Sequence, residues 1–134
     1  MPDMADITVK KYDGTTDIVH SKINASGADG SDAVWRQVTG NGNPMGLQPI
    51  FKARSRYGSG GKARILETNG IYPAVYTDTT TGLKSSNGSV RVKVMISVDT
   101  GIDANSVAEG VHQLLNLNSS ALIKSCGVNG SAPT

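Results

Sequence analysis

The sequence predicts an α+β fold: an N-terminal β-hairpin, an antiparallel β-sheet of about five strands and two C-terminal α-helices. Three observations predict it. Asp13-Gly14 stands between two β-prone runs, "ITVKKY" and "TTDIVH", which is a strong short-range signal for a hairpin. In "SVRVKVMISV", residues 89–98, Val90, Val92, Val94, Ile96 and Val98 alternate with Ser89, Arg91, Lys93, Met95 and Ser97, the period of a half-buried strand. Past "DTG" the period lengthens, and Val107, Val111, Leu114 and Leu115 recur at helical spacing.

The elements follow in order. Residues 6–22 are predicted as the hairpin, with both residues of the Asp13-Gly14 turn at positive φ. "NASGADGSD", 24–32, is a turn-rich connector, and "AVWRQV", 33–38, is a short strand ended by "TGNGNPMG". Strands at 48–57 and 62–76 are joined by "GSGG", with Pro73 bending or ending the second because it cannot donate to a ladder. "TDTTTGLKSSNG", 77–88, is small and polar, as an exposed loop is. Asp103 is a suitable N-cap for a helix over 104–116; Asn118 or Ser119 would cap "SALIKSC", and Gly127 would end it in a left-handed turn. The sheet, 33–98, and the helices, 104–126, are thus expected to form one domain spanning 1–134.

Composition excludes several function classes. With 37% hydrophobic and 18% charged residues the chain is an ordinary globular sequence, and six aromatics leave a core of Val, Ile, Leu and Ala. No apolar run is long enough to span a bilayer and the start lacks a signal-type apolar stretch, so no membrane partner is expected. Lone Cys126 has no internal disulfide partner. His20 and His112 have no second ligand at metal spacing, and no nucleophile stands with a base. "GSGGKA" lacks the glycine and the hydroxyl of a phosphate loop, and "GNGNPMG" lacks a dinucleotide spacing. The expectation is a protein without catalytic residues, metal or cofactor, and not an enzyme.

The charge pattern points elsewhere. "QPIFKARSRYGSGGKARIL", 48–66, carries Lys52, Arg54, Arg56, Lys62 and Arg64, five of thirteen Lys and Arg in a chain of formal net charge +2. With Arg91 and Lys93 on the alternating strand, seven cations are expected on one sheet face, without local acidic partners because no Asp or Glu occurs from 33 to 66 and Glu67 alternates onto the opposite face from Arg64. One alternating strand is an ordinary solvated surface, but three together concentrate like charge, which weakens cross-strand pairing. A polyanion offsets that, and nucleic-acid phosphate fits best, with Ser89, Ser97 or Thr68 able to read bases. The opposite, apolar face needs a helical layer wider than two short helices provide. A symmetric dimer supplies it, each subunit laying its helices over the other's strands while edge strands pair into one continuous sheet.

This layout resembles the coat proteins of single-stranded RNA bacteriophages, of the levivirus type, over nearly the whole chain. The likeness lies in length, element order and the block "SVRVKVMISVDTGIDANSVAEGVHQLLNLNSSALIKSC". It implies an interlocked homodimer with a continuous sheet, a structural capsid protein whose dimers assemble into an icosahedral shell, and a sheet face lining the shell against single-stranded genomic RNA. Carried over, the RNA-facing places are Lys52, Arg54, Arg56, Lys62, Arg64, Ser89, Arg91 and Lys93. Loop 77–88 matches the loop around the symmetry axes, and hairpin 6–22 the one on the outer surface. The resemblance further implies location in the virion, assembly in the bacterial cytoplasm and a phage maturation protein as a second partner. Some members hold adenines of an RNA hairpin in pockets of Thr, Ser and Lys; Arg and Lys stand here, which favours charge-driven packaging over operator repression. The alternative is a dimeric nucleic-acid-binding or regulatory module that never assembles.

Overall fold

The computed structural model, which describes residues 2–40 and 42–134, contains a six-stranded antiparallel sheet whose strand order follows the chain. The strands are β1 (Ile7–Lys10), β2 (Asp17–Asn24), β3 (Asp32–Arg36), β4 (Ile50–Tyr57), β5 (Ala63–Thr77) and β6 (Lys84–Asp99). Two helices follow, α1 (Ala104–Asn118) and α2 (Ala121–Asn129). The chain divides into two compact units, Met1–Ser97 and Val98–Thr134.

The hairpin forms, but not with the expected two-residue turn. Strands β1 and β2 pair from Ile7 opposite His20 to Lys10 opposite Asp17, and Lys11 N–H donates to the Thr16 carbonyl at 2.9 Å. Only Gly14 has positive φ, at 74°, where a side chain would be strained. Asp13 acts as a cap instead of a left-handed residue: its carboxylate accepts from the amides of Thr15 and Thr16 at 2.9 Å and from the Thr16 hydroxyl at 2.5 Å. Those bonds, led by the hydroxyl, hold its pKa down at about 2.

Two further expectations change. Pro73 does not end β5, which runs on to Thr77. The β4 ladder stops at Ile71, so a residue without an amide proton costs that ladder nothing. The exposed loop shrinks to the residues after Thr77 and before Lys84, closed by Asp78 N–H donating to the Leu83 carbonyl at 2.8 Å. The polar run from Lys84 extends β6 instead. It lies on the last strand of the sheet, where small polar residues meet solvent on both faces and weak β-propensity is tolerated. Within "TGNGNPMG", Met45–Leu47 make one 3-10 turn, and Asn41 lies outside the described residues.

In the second unit Asp103 caps α1 as expected, its carboxylate accepting from the Ser106 amide at 2.9 Å. Ser120, rather than Ser119 or Asn118, caps α2 by accepting from the Ile123 amide at 3.4 Å. Gly127 lies inside α2; the left-handed residue is Gly130, with φ 68°, whose amide returns to the Cys126 carbonyl.

No hydrophobic side chain among the described residues is buried; Gln37 and Pro49 are the buried residues. The apolar faces of both units are formed and uncovered.

Candidate nucleic-acid interface

Strand register decides which side chains share a face, because residues directly opposite in an antiparallel pair point the same way. Asp32, Val34 and Arg36 of β3 stand opposite Arg54, Lys52 and Ile50 of β4. On the other side of β4, Lys52, Arg54 and Arg56 stand opposite Asn69, Glu67 and Ile65 of β5. These residues form the basic face. The second face carries Trp35, Phe51, Ser55, Tyr57, Arg64 and Leu66, and is aromatic.

This splits the predicted cluster. Lys52, Arg54 and Arg56 are co-facial as expected, but Arg64 stands opposite Tyr57 on the aromatic face, and Lys62 precedes β5 at the hairpin tip. The cause is parity. Tyr57 pairs with Arg64 across six intervening residues, so even-numbered positions on β4 share a face with odd-numbered positions on β5. Arg64 has a local role there: its guanidinium lies 4.3 Å over the Tyr57 ring, pairs with Asp29 at 2.7 Å and donates to the Ser55 hydroxyl at 3.3 Å.

The expectation that these cations lack acidic partners is also corrected. Arg54 Nε donates to Asp32 Oδ1 at 2.8 Å, and Arg56 Nη2 to Glu67 Oε1 at 2.8 Å. Both acids lie just outside the acid-free stretch in sequence and are brought in by strand pairing. The Arg54 hydrogen bond holds the Asp32 carboxyl below its ordinary value. Glu67 is held down by the Arg56 hydrogen bond first, then by the charges of Arg56, Lys93 and Arg54. Lys93 therefore lies near Glu67 on the basic face, and Ser89 and Arg91 join it by alternation along β6. Arg91 Nε donates to the Ser89 hydroxyl at 3.2 Å.

The basic face thus holds Arg36, Lys52, Arg54, Arg56, Arg91 and Lys93 with two carboxylates among them. For Lys52, Arg91 and Lys93 no carboxylate lies within ion-pair distance among the described residues. The guanidinium of Arg54 bonds Asp32 through Nε, and its side chain is 46% exposed. Such a surface suits a chain of phosphates. Sequence reasoning missed Arg36 and Asp32 and set Glu67 off the basic face, and the missing signal was the pairing register.

The aromatic face is built differently. Trp35 and Phe51 pack with ring centroids 5.7 Å apart, and Trp35 Nε1 donates to the Ala5 carbonyl at 2.8 Å, which draws the N-terminal segment to this side. Beside it an open hollow of about 780 Å³ is lined by Val9, Lys11, Ile18, His20, Gln37 and Tyr72. Burial there pulls the His20 pKa below 6.5. Along β6, Val90 and Val92 are 63% and 61% exposed. Among the described residues no cluster of His, Cys, Asp and Glu is placed to hold a metal ion.

No protein-family model and no curated protein matches the chain. Solved structures do. The chain is similar to the virus-like particle protein of Beihai levi-like virus 21, with a TM-score of 0.81 at 14% identity, covering 99% of both chains. It is similar to that of bacteriophage NT-214, with a TM-score of 0.81 at 10% identity over 99% of this chain and 100% of the other. The capsid protein of bacteriophage GA gives 0.70 at 14% identity over 96% and 95%. The six-stranded sheet followed by two helices is the fold of these phage coat proteins.

Proposed function

We propose that this chain, which has the phage coat-protein fold, is the structural capsid protein of a single-stranded RNA phage. It pairs with a second copy, and the dimers assemble into a shell that encloses RNA against the basic face. The observation that carries the dimer is the uncovered surface. A folded monomer of 13.9 kDa exposes about 6,700 Å², whereas this chain exposes 9725 Å². The excess, roughly 3,000 Å² per chain and so about 6,000 Å² per pair, is of the size of the largest obligate, core-like interfaces.

What covers it is a second copy of the same chain. The first unit offers an apolar sheet face that includes Val90, Val92 and Tyr72, and the second offers helices with Leu114, Leu117, Leu122 and Val128 exposed. These surfaces are complementary in chemistry. Exchange of helices between two copies covers both at once, and pairing of the two β6 edges continues the sheet. The basic face is the other face of the same sheet, which leaves it to line the RNA.

The proposal makes the protein a component of the virion, and a maturation protein is its further partner. Size-exclusion chromatography with absorbance at two wavelengths, followed by electron microscopy, tests it. Uniform round particles rich in RNA are expected from the recombinant protein. Elution as a small RNA-free dimer under conditions that preserve folding would instead support a binding module that does not assemble.

A further inference from the structure

The two carboxylates on the basic face make half-exposed ion pairs with Arg54 and Arg56, and such pairs contribute only modestly to stability. They stand where a phosphate-binding surface is weakened by them. Glu67 sits between Arg54, which it faces across the ladder, and Arg56, which it bonds, with Lys93 near enough to depress its pKa. Asp32 bonds Arg54 and feels Lys52. Each acid therefore acts on two or more of the six cations of the face.

We propose that Asp32 and Glu67 are restraining residues of the RNA face: they occupy Arg54 and Arg56, leave first contact with phosphate to Lys52, Arg91 and Lys93, and limit the affinity for single-stranded RNA. This rests on the RNA reading above. A phosphate approaching Arg54 or Arg56 meets a fixed negative charge on the same guanidinium and must share or displace it. Its counterion-release gain at those two places is reduced. A face of six unopposed cations would hold any RNA more tightly and more salt-dependently than this one does.

The restraint is specific in placement. Arg64, whose partner Asp29 lies outside this face, plays no part in it. At Glu67 glutamine keeps the shape and an acceptor for Arg56 while removing the charge; Asp32→Asn does the same at the second pair.

The experiment is a salt series of fluorescence anisotropy titrations with a short, unstructured oligoribonucleotide on protein freed of host RNA at high salt. Wild type is compared with Glu67→Gln, Asp32→Asn and Lys52→Gln, and each variant's melting temperature is recorded. Expected is binding about threefold tighter for each acid variant, the effect of one unit charge roughly 6 Å from a phosphate at a watery surface. The salt slope should steepen by about 0.7 for each phosphate newly engaged, while Lys52→Gln weakens binding and flattens the slope by about the same amount. Acid variants that bind equally or more weakly, with Lys52→Gln still weakened, overturn the restraint and leave the RNA reading standing. Wild type that binds no RNA at low salt overturns both. Should one acid variant fail to fold, the other pair carries the test independently.

Discussion

Replacing Val90 and Val92 together by threonine probes whether the aromatic face of β6 is an interface. Threonine keeps the branched shape and the strand preference of valine, so the variant changes only what the side chains do when water leaves. Burying a hydroxyl without a partner costs about 1–3 kcal/mol in mutational data. The two valines retain 63% and 61% of their exposure in a single chain, so about 1 kcal/mol each is at stake on covering them. Twofold symmetry repeats the pair, giving about 4 kcal/mol per dimer, or roughly a thousandfold in the dissociation constant. Urea unfolding at several protomer concentrations reads this directly: an obligate dimer has a midpoint that rises with concentration. The double variant should unfold at lower urea than wild type at every concentration and dissociate on dilution in sedimentation experiments. A midpoint unchanged by the substitutions and independent of concentration would refute the argument, since threonine on a wet strand face is close to neutral.

Three smaller expectations follow from the polar contacts. Asp13, held near pKa 2 against an ordinary 3.8, binds its proton more readily in the unfolded chain; its contribution is present above 3.8 and is lost as pH falls through about 2. Amide exchange at Thr15 and Thr16 should accelerate over that window, and Asp13→Asn should abolish the step. His20 is depressed by burial in a hollow also lined by Lys10, Lys11, Tyr12, Asp13 and Tyr72, so its neutral form is favoured by folding. Stability is therefore full above 6.5 and falls as pH drops below that value toward the folded pKa, and His20→Gln should flatten the midpoint between those limits. Asp103→Ala removes the acceptor for the Ser106 amide and should lower the melting temperature by several degrees, with Asp103→Asn restoring most of it.

Local chemistry made the element types legible. The alternation in β6, the helical period of α1 and the cap at Asp103 are statements a short stretch makes about itself. What a stretch cannot state is its register. The five cations of 48–66 looked co-facial because their spacing is even, yet the hairpin between β4 and β5 exchanges parity, so Arg64 turned to the aromatic face and Glu67 to the basic one. Asp32 and Glu67 were not recognised as partners for the same reason: the cations they bond are neighbours in space, separated by 22 and 11 residues in sequence. The polar start of β6 was unreadable on other grounds, because "KSSNGS" has little strand preference of its own and is held extended by its place in the sheet. Gly130, not Gly127, ends α2 because nothing in "SALIKSCGVNG" distinguishes which glycine takes the left-handed turn.

The sixteen-residue β6 stands last in the sheet order, and its outer edge is a row of unsatisfied backbone donors and acceptors. In the dimer proposed above, a newly made chain carries that template before it has met its mate. Until then any extended segment in the cell competes for it, and Arg91 and Lys93 are the charges best placed to discourage the wrong ones. Yield of correctly made protein is then governed by a race between a second-order encounter of like chains and capture by others, so dense synthesis from one message, which keeps sister chains close together, favours the productive outcome.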